Sequence, residues 1–241
     1  DVYKRQGLAH GIKNILTGLE GGMYVFRGGL EKDDRKRIDQ GWHMLERNIE
    51  RISGLVRNLL SFSKGDEPAV SMINPVELAG EVVNLYSSAA QEAGIALMME
   101  APDAIEPAPM DKEGIHSCLA NLVSNAIDAC QMSEKESCKV TVRCVQEQGA
   151  IVFEVADEGC GMDYDIKQKV FTTFFTTKGA GGTGLGLLLT RKIVQQHGGK
   201  IDFSSAPDKG TTFRLFFPRE RLPRVNTEVG EGSESAENAH T

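Results

Sequence analysis

Asn121, Asn125 and Asp128 lie in one short stretch, Asn121 to Ala129, read N-L-V-S-N-A-I-D-A. Residues three and four apart share one face of a helix. The spacing therefore brings two amides and a carboxylate together, and such oxygens suit a hard cation. Ile115, Leu119, Leu122, Ala126 and Ala129 fall on another face and form the apolar stripe that seats the helix on a core. The polar outer side of a surface helix has the same pattern. Three glycine-rich segments further along weigh against that plainer account.

The first is Asp157-Glu158-Gly159-Cys160-Gly161-Met162, directly after a strand pattern. A carboxylate at a strand end accepts a hydrogen bond from the exocyclic amine of adenine, and it repels the carbonyl that guanine carries there. Gly159 and Gly161 remove side chains that would block a flat ring. The second is Gly182-Thr183-Gly184-Leu185-Gly186-Leu187, which opens a helix. Free backbone N–H groups and the positive end of the helix dipole suit phosphate there. It is not a P-loop, since no Lys-Ser/Thr follows, and Leu189 stands where the dinucleotide fingerprint needs glycine. Between the two runs Phe171-Thr172-Thr173-Phe174-Phe175-Thr176-Thr177-Lys178. Lys178 is placed to reach a phosphate, and the Phe residues either anchor a mobile lid or pack in the core. In the last segment, Lys209-Gly210-Thr211-Thr212-Phe213, a Thr hydroxyl is available to assist Asp157.

These segments need a scaffold of mixed helices and strands. Asn74-Pro75 starts a helix that runs to about residue 93 and stops at Gly94. Residues 70–73 and the alternating Ile95, Leu97 and Met99 read as strands, followed by a Pro-rich loop over 102–109 and a helix capped by Asp111. Two strands flank Gln148-Gly149 as a hairpin. A short helix is expected at about 163–170, a longer one at 184–197, and two strands near 200–205 and 211–217. The fold class is α+β.

Upstream, apolar residues recur at 8, 12, 15, 19, 22 and 26, then at 38, 42, 45, 49, 52, 56 and 59. The alternation of four and three is a heptad seam. It predicts helices over 7–30 and 33–64, joined as an antiparallel hairpin with Asp33 or Asp34 as cap. Two helices cannot enclose so long a seam, so a second copy of the chain is expected to complete a four-helix bundle. Glycines at 11, 18, 21, 22, 28 and 29 weaken the first helix by about 1 kcal/mol each relative to Ala.

The chain has 241 residues, 40% of them hydrophobic and 25% charged, with a net charge of −7. That is an ordinary soluble composition and lacks the basic footprint of nucleic-acid binding. The five cysteines form no C-x-x-C pair and read as reduced thiols in a cytosolic setting. No run of about 18 apolar residues occurs. Residues 1–6 read as a translated sequencing-adapter end and are set aside, with native sequence expected upstream. The expected organisation is a hairpin over 7–64, a linker over 65–74, an α/β domain over 75–218 and a disordered acidic tail over 219–241.

In order, N-L-V-S-N-A-I-D-A, D-E-G-C-G-M, F-F-T-T-K, G-T-G-L-G-L and K-G-T-T-F resemble the asparagine, glycine and phenylalanine boxes of the sensor histidine kinases. The heptad hairpin resembles that family's dimerisation and histidine-phosphotransfer domain. The resemblance implies a Bergerat-type α/β sandwich that binds ATP and Mg²⁺. It implies Asn125 as the metal ligand, Asn121 as its helper and Asp157 as the adenine anchor. Asp128, Gly159, Gly161, Thr177, Gly182, Gly184, Leu185, Gly186 and Thr211 would line the nucleotide site, with Lys178 among the catalytic residues. The phosphoacceptor would be His10, with Asn14 one turn on, at the position that prepares water for dephosphorylating a partner. His10 falls between seam positions 8 and 12 and should face solvent. The phosphoryl group would then pass to an aspartate of a response regulator, the chain acting as a homodimer. The resemblance implies a cytoplasmic core, with membrane attachment only through sequence upstream. Gly11 departs from the family, which has Glu or Asp there, so a degenerate ATP-binding switch is the alternative. Asn121 also distinguishes the chain from gyrase-type ATPases, which carry a Glu there as base for water. An amide cannot take that proton. His43, His116 and His197 are expected to be structural, and His197 stands at a helix end suited to a cation.

Overall fold

A computed structural model describes residues 2–63, 67–102, 104–172, 176 and 184–224; within its helices, the side chains of 2–12, 14, 50, 51, 54, 55 and 57–63 are left out. The acidic tail expected beyond residue 224 therefore lies outside the described residues.

Two long helices come first, α1 (Val2–Glu31) and α2 (Arg35–Ser63), folded back on each other. α1 begins at Val2, inside the stretch that the sequence set aside. Asp34 caps α2, its Oδ1 accepting from the Arg37 N–H at 3.2 Å. The contact between the helices uses part of the expected seam, with Ile15 buried and Gly22 against Leu45. Gly22, Gly29, Gly41 and Asn48 are buried, whereas Trp42 and Ile49 of the seam are 55% and 57% exposed. A Cβ on Gly41 would strike the Phe26 backbone, and one on Gly29 would come within 2.7 Å of the Ile38 nitrogen. The glycines that weaken α1 in isolation thus permit a close helix crossing, and packing outweighs propensity.

The rest is two layers. A five-stranded sheet runs in the order β2 (Ile95–Glu100), β4 (Cys138–Glu147), β5 (Ala150–Asp157), β7 (Thr211–Pro218), β6 (Lys200–Ser205). Only β2 and β4 are parallel. The β4–β5 hairpin turns through Gln148 and Gly149, whose φ of +49° and +77° are those of a primed two-residue turn. Helices α3 (Pro75–Glu92), α4 (Lys112–Gln131) and α6 (Gly186–Gln196) cover one face of the sheet. A short α5 (Tyr164–Lys169) follows β5. β1 (Val70–Ile73), within the expected linker, pairs antiparallel with β3 (Ala108–Asp111), at the end of the expected Pro-rich loop.

The core lies between the sheet and the helices. Val140, Val142, Ile151, Phe153, Leu215 and Phe217 face Leu78, Val82, Ile115, Leu119, Leu122, Val123 and Val194. Each such side chain contributes roughly 1.5–3 kcal/mol on burial, which fixes α4 against the strands. α4 is the helix that carries Asn121, Asn125 and Asp128.

One expectation is corrected: Cys130 and Cys138 form a disulfide between the end of α4 and the start of β4. Chain reversal brings their Cα atoms to 5.7 Å, within the range for such a bond. Cys118 and Cys144 are buried thiols, each pushed up to about 12 by desolvation. Among the described residues, no helix is long and apolar enough to cross a membrane.

Candidate active site

A cavity of about 700 Å³ opens where α4, the end of β5, the start of α6 and the start of β7 meet. Its walls include Asn121, Asn125 and Asp128 from α4, Asp157 and Gly161 after β5, Gly184 and Gly186 before α6, and Thr211 on β7. Residues 54 apart in the chain meet because the strand carrying Asp157 and the strand carrying Thr211 are paired, Asp157 directly opposite Thr211.

Asp157 is fixed from two sides. Its Oδ1 accepts from the backbone N–H of Gly159 at 2.9 Å and of Thr211 at 3.2 Å. Burial nevertheless pushes its carboxyl from 3.8 up to about 6, against the pull of those two N–H groups and of the Lys135 charge. The tight turn after it depends on glycine. Gly161 (φ +65°) lies against the Ala206 carbonyl, and Gly210 (φ +80°) against the Asp157 carbonyl. Gly159 is placed differently from expectation. It is buried against Ala129 of α4, beside a Cys160 N–H to Ala129 O bond of 3.1 Å, and so locks the turn to the helix.

Asn121 is held by two neighbours. Its Nδ2 donates to the Thr190 hydroxyl at 3.1 Å, and the Asn125 Nδ2 reaches its Oδ1 at 3.5 Å. A Cβ on Gly186 would overlap the Asn121 amide, so the glycine lets α6 begin against it. Among the described residues there is no cluster of three His, Cys, Asp or Glu that could hold a metal. Asn125 and Asp128, oxygen donors one turn apart on the wall, fit an ion that takes its other ligands from phosphate and water.

Leu185, Phe171 and His197 have structural places, of which only that of Leu185 departs from expectation. Leu185 does not line the cavity. It is buried beside Ile15 of α1, with Ile52 of α2 and Leu188 packed around them. Phe171 is core, with its ring 5.7 Å from that of Phe203 and 6.5 Å from that of Phe213. His197 is not a cation at a helix end. It is 1% exposed, its Nε2 accepts from the Asp111 N–H at 3.0 Å, and its Nδ1 donates to the Ile193 carbonyl at 2.7 Å. A ring that accepts at one nitrogen and donates at the other is neutral. Thr177, Lys178 and Gly182 lie outside the described residues. His10 and Asn14 are on α1, and their side chains lie outside the described residues.

Sequence reasoning missed Thr190 and Ser205. Thr190 falls on the buried face of α6 with Val194, where a hydroxyl among apolar residues already signals a polar partner. Ser205 is paired with Thr211, which only the strand register reveals.

Residues 110–221 match the family described as histidine kinase-, DNA gyrase B-, and HSP90-like ATPase. The signal transduction histidine-protein kinase AtoS of Escherichia coli is 32% identical over 213 residues, which are 88% of this chain and 34% of AtoS. The chain spans 24% to 45% of the length of the curated relatives it matches. Among solved structures, the catalytic domain of the histidine kinase ThkA is 31% identical with a TM-score of 0.55, covering 62% of this chain and 97% of that one. The complex of ThkA with the response regulator protein TrrA shares the fold over 90% of this chain and 64% of that one, with a TM-score of 0.69 at 23% identity.

Proposed function

The chain belongs to the sensor histidine kinases, and from that premise we propose that it is a two-component kinase core, phosphorylating itself on His10 and then an aspartate of a response regulator. One observation carries the reading. Asn125, Asp157, Gly161, Gly186 and Thr211, from segments far apart in sequence, line a single cavity. Asp157 takes the exocyclic amine of adenine, and Gly161 leaves room for the ring. Gly184 and Gly186 leave room for the phosphates at the start of α6. Asn125, helped by Asn121, would hold Mg²⁺, which would neutralise charge on the triphosphate. The family pattern assigns Thr177, Gly182 and Lys178, which lie outside the described residues, to the phosphates as well.

Catalysis is positioning and charge stabilisation. An imidazole nitrogen of His10 attacks the γ-phosphorus, the bond to the β–γ bridging oxygen breaks, and ADP leaves. The proton of the resulting imidazolium passes to water or to a carboxylate from another element, because Gly11 offers none. Asn121, an amide bonded to Thr190, cannot serve as base for water, which favours transfer over hydrolysis. Asn14 prepares water for dephosphorylating the regulator. The exposed Trp42, Ile49 and Val56 support a homodimer in which a second hairpin covers them. The solved complex of ThkA with a response regulator supports the same class of partner here.

Incubation with γ-labelled ATP tests the reading. Label that is acid-labile, base-stable and lost in His10→Gln is the expected result. Label retained in His10→Gln misassigns the acceptor. Nucleotide binding without any label favours the dimeric switch that Gly11 raises.

A further inference from the structure

Asp157, Thr211 and Ser205 form one row across three strands, since Asp157 pairs with Thr211 and Thr211 with Ser205. Ser205 Oγ stands at the crossing of three hydrogen bonds. The Met162 N–H donates to it at 2.9 Å, the Gly210 carbonyl oxygen lies at 3.0 Å, and Thr211 Oγ1 lies at 3.0 Å.

These protons can be distributed in only one way that makes all three bonds. A backbone N–H only donates and a carbonyl only accepts. Ser205 has a single proton, and Gly210 O can receive one from no other member of the group, so that proton goes to Gly210. The two lone pairs of Ser205 then receive the Met162 N–H and the Thr211 O–H. The serine hydroxyl is saturated. Thr211 has committed its proton inward, and its oxygen meets the cavity only as an acceptor. Ionised Asp157, already holding two backbone N–H groups on Oδ1, is an acceptor too.

We propose that Ser205 is a positioning residue for base selection: by holding the Thr211 proton, it makes the cavity prefer 6-amino over 6-oxo purine nucleotides. The inference rests on the reading that the cavity binds an adenine nucleotide. An exocyclic amine has two protons, one for Asp157 and one for Thr211. A 6-oxo base turns lone pairs toward both. Without Ser205 the Thr211 hydroxyl rotates and donates to that oxygen, and the 6-oxo penalty shrinks.

The test is calorimetric binding of ADP and IDP with Mg²⁺, which avoids turnover. IDP differs from ADP at the 6-position and has no 2-amino group to confuse the comparison. The ratio of the two Kd values is the readout, because a merely structural role would weaken both nucleotides alike. Ser205→Ala is expected to lower the IDP/ADP ratio about tenfold, the scale of one reversed hydrogen bond. Ser205→Thr, which keeps the hydroxyl, is expected to restore it. Thr211→Val, lacking the lone pairs, should lower the ratio similarly, and Ser205→Ala added to it should change nothing further. An unchanged ratio in Ser205→Ala, or in Thr211→Val if the serine variant does not fold, overturns the proposal. Wild-type protein that binds ADP but prefers IDP also overturns it. Wild-type protein that binds neither nucleotide overturns the adenine reading itself, a result distinct from both.

Discussion

Thr190, on α6, accepts the side-chain amide of Asn121, on α4, at 3.1 Å with only 1% of the threonine exposed. The bond joins the helix that opens at the glycine box to the helix that carries the proposed metal ligand. It holds the Asn121 side chain in place, and the Asn125 amide lies 3.5 Å from the Asn121 Oδ1.

Thr190→Val keeps the shape and removes the acceptor. The Asn121 N–H loses a partner, costing about 1–3 kcal/mol of stability. Mg²⁺-dependent labelling should fall roughly tenfold, the effect of a disturbed supporting contact at a metal site. Binding of ADP without Mg²⁺ should stay near wild type. Thermal denaturation, labelling rates and metal-free titration check the three parts. Thr190→Ser should recover most of the loss.

Asp157 sets a pH dependence with a definite sign. Its carboxyl is raised from 3.8 to about 6 in the fold. The folded state therefore holds this proton more tightly than the unfolded chain. Its contribution to stability is complete below about pH 3.8 and is lost as pH rises through about 6. Denaturation of wild type and Asp157→Asn across pH 4–7 should show the wild type losing stability relative to the variant over that interval. Adenine needs the ionised acceptor, so ADP affinity should weaken below about pH 6, approaching tenfold per pH unit.

Gly41→Ala places two rules in opposition. Helix propensity alone favours alanine by about 1 kcal/mol. The added methyl would meet the Phe26 backbone, which cannot move away without shifting α1. Overpacking costs about 1–3 kcal/mol, and against backbone the upper end applies. Net destabilisation of the hairpin is expected, read as a lower urea midpoint. A stabilised variant would show that the two helices do not cross this closely.

Ile52 packs with Ile15, Leu185 and Leu188, where the hairpin meets the start of α6. Ile15 follows His10 by five residues, about 7.5 Å along a helix. Ile52→Asp should loosen this docking and lower His10 labelling several-fold, a misplacement effect. Ile52 does not line the cavity, so ADP affinity should remain unchanged by titration.

The layered α/β unit was legible in the sequence because its signals are local. Asn74 caps α3, Asp111 caps α4, Gln148-Gly149 turns the β4–β5 hairpin, and β2, β4, β6 and β7 alternate in burial. That Asn121 and Asn125 share one helix and that Asp157 ends a strand was legible for the same reason. Relations between elements were not. The helical seam included Gly22, but not Gly29 or Gly41, whose value lies in the backbone they admit, and it leaves Trp42 and Ile49 exposed on a single hairpin. Leu185 sits among cavity glycines in sequence, yet its side chain turns to Ile15. The Cys130–Cys138 bond and the neutral ring of His197 likewise depend on partners that only the fold supplies.

The most direct test is a crystal structure with a non-hydrolysable ATP analogue and Mg²⁺. The account predicts the Asn125 carbonyl oxygen on the magnesium and the Asp157 carboxylate on the exocyclic amine of adenine, with the phosphates at the start of α6. Nucleotide bound elsewhere, or Asn125 off the metal with Asp157 turned from the base, would contradict it.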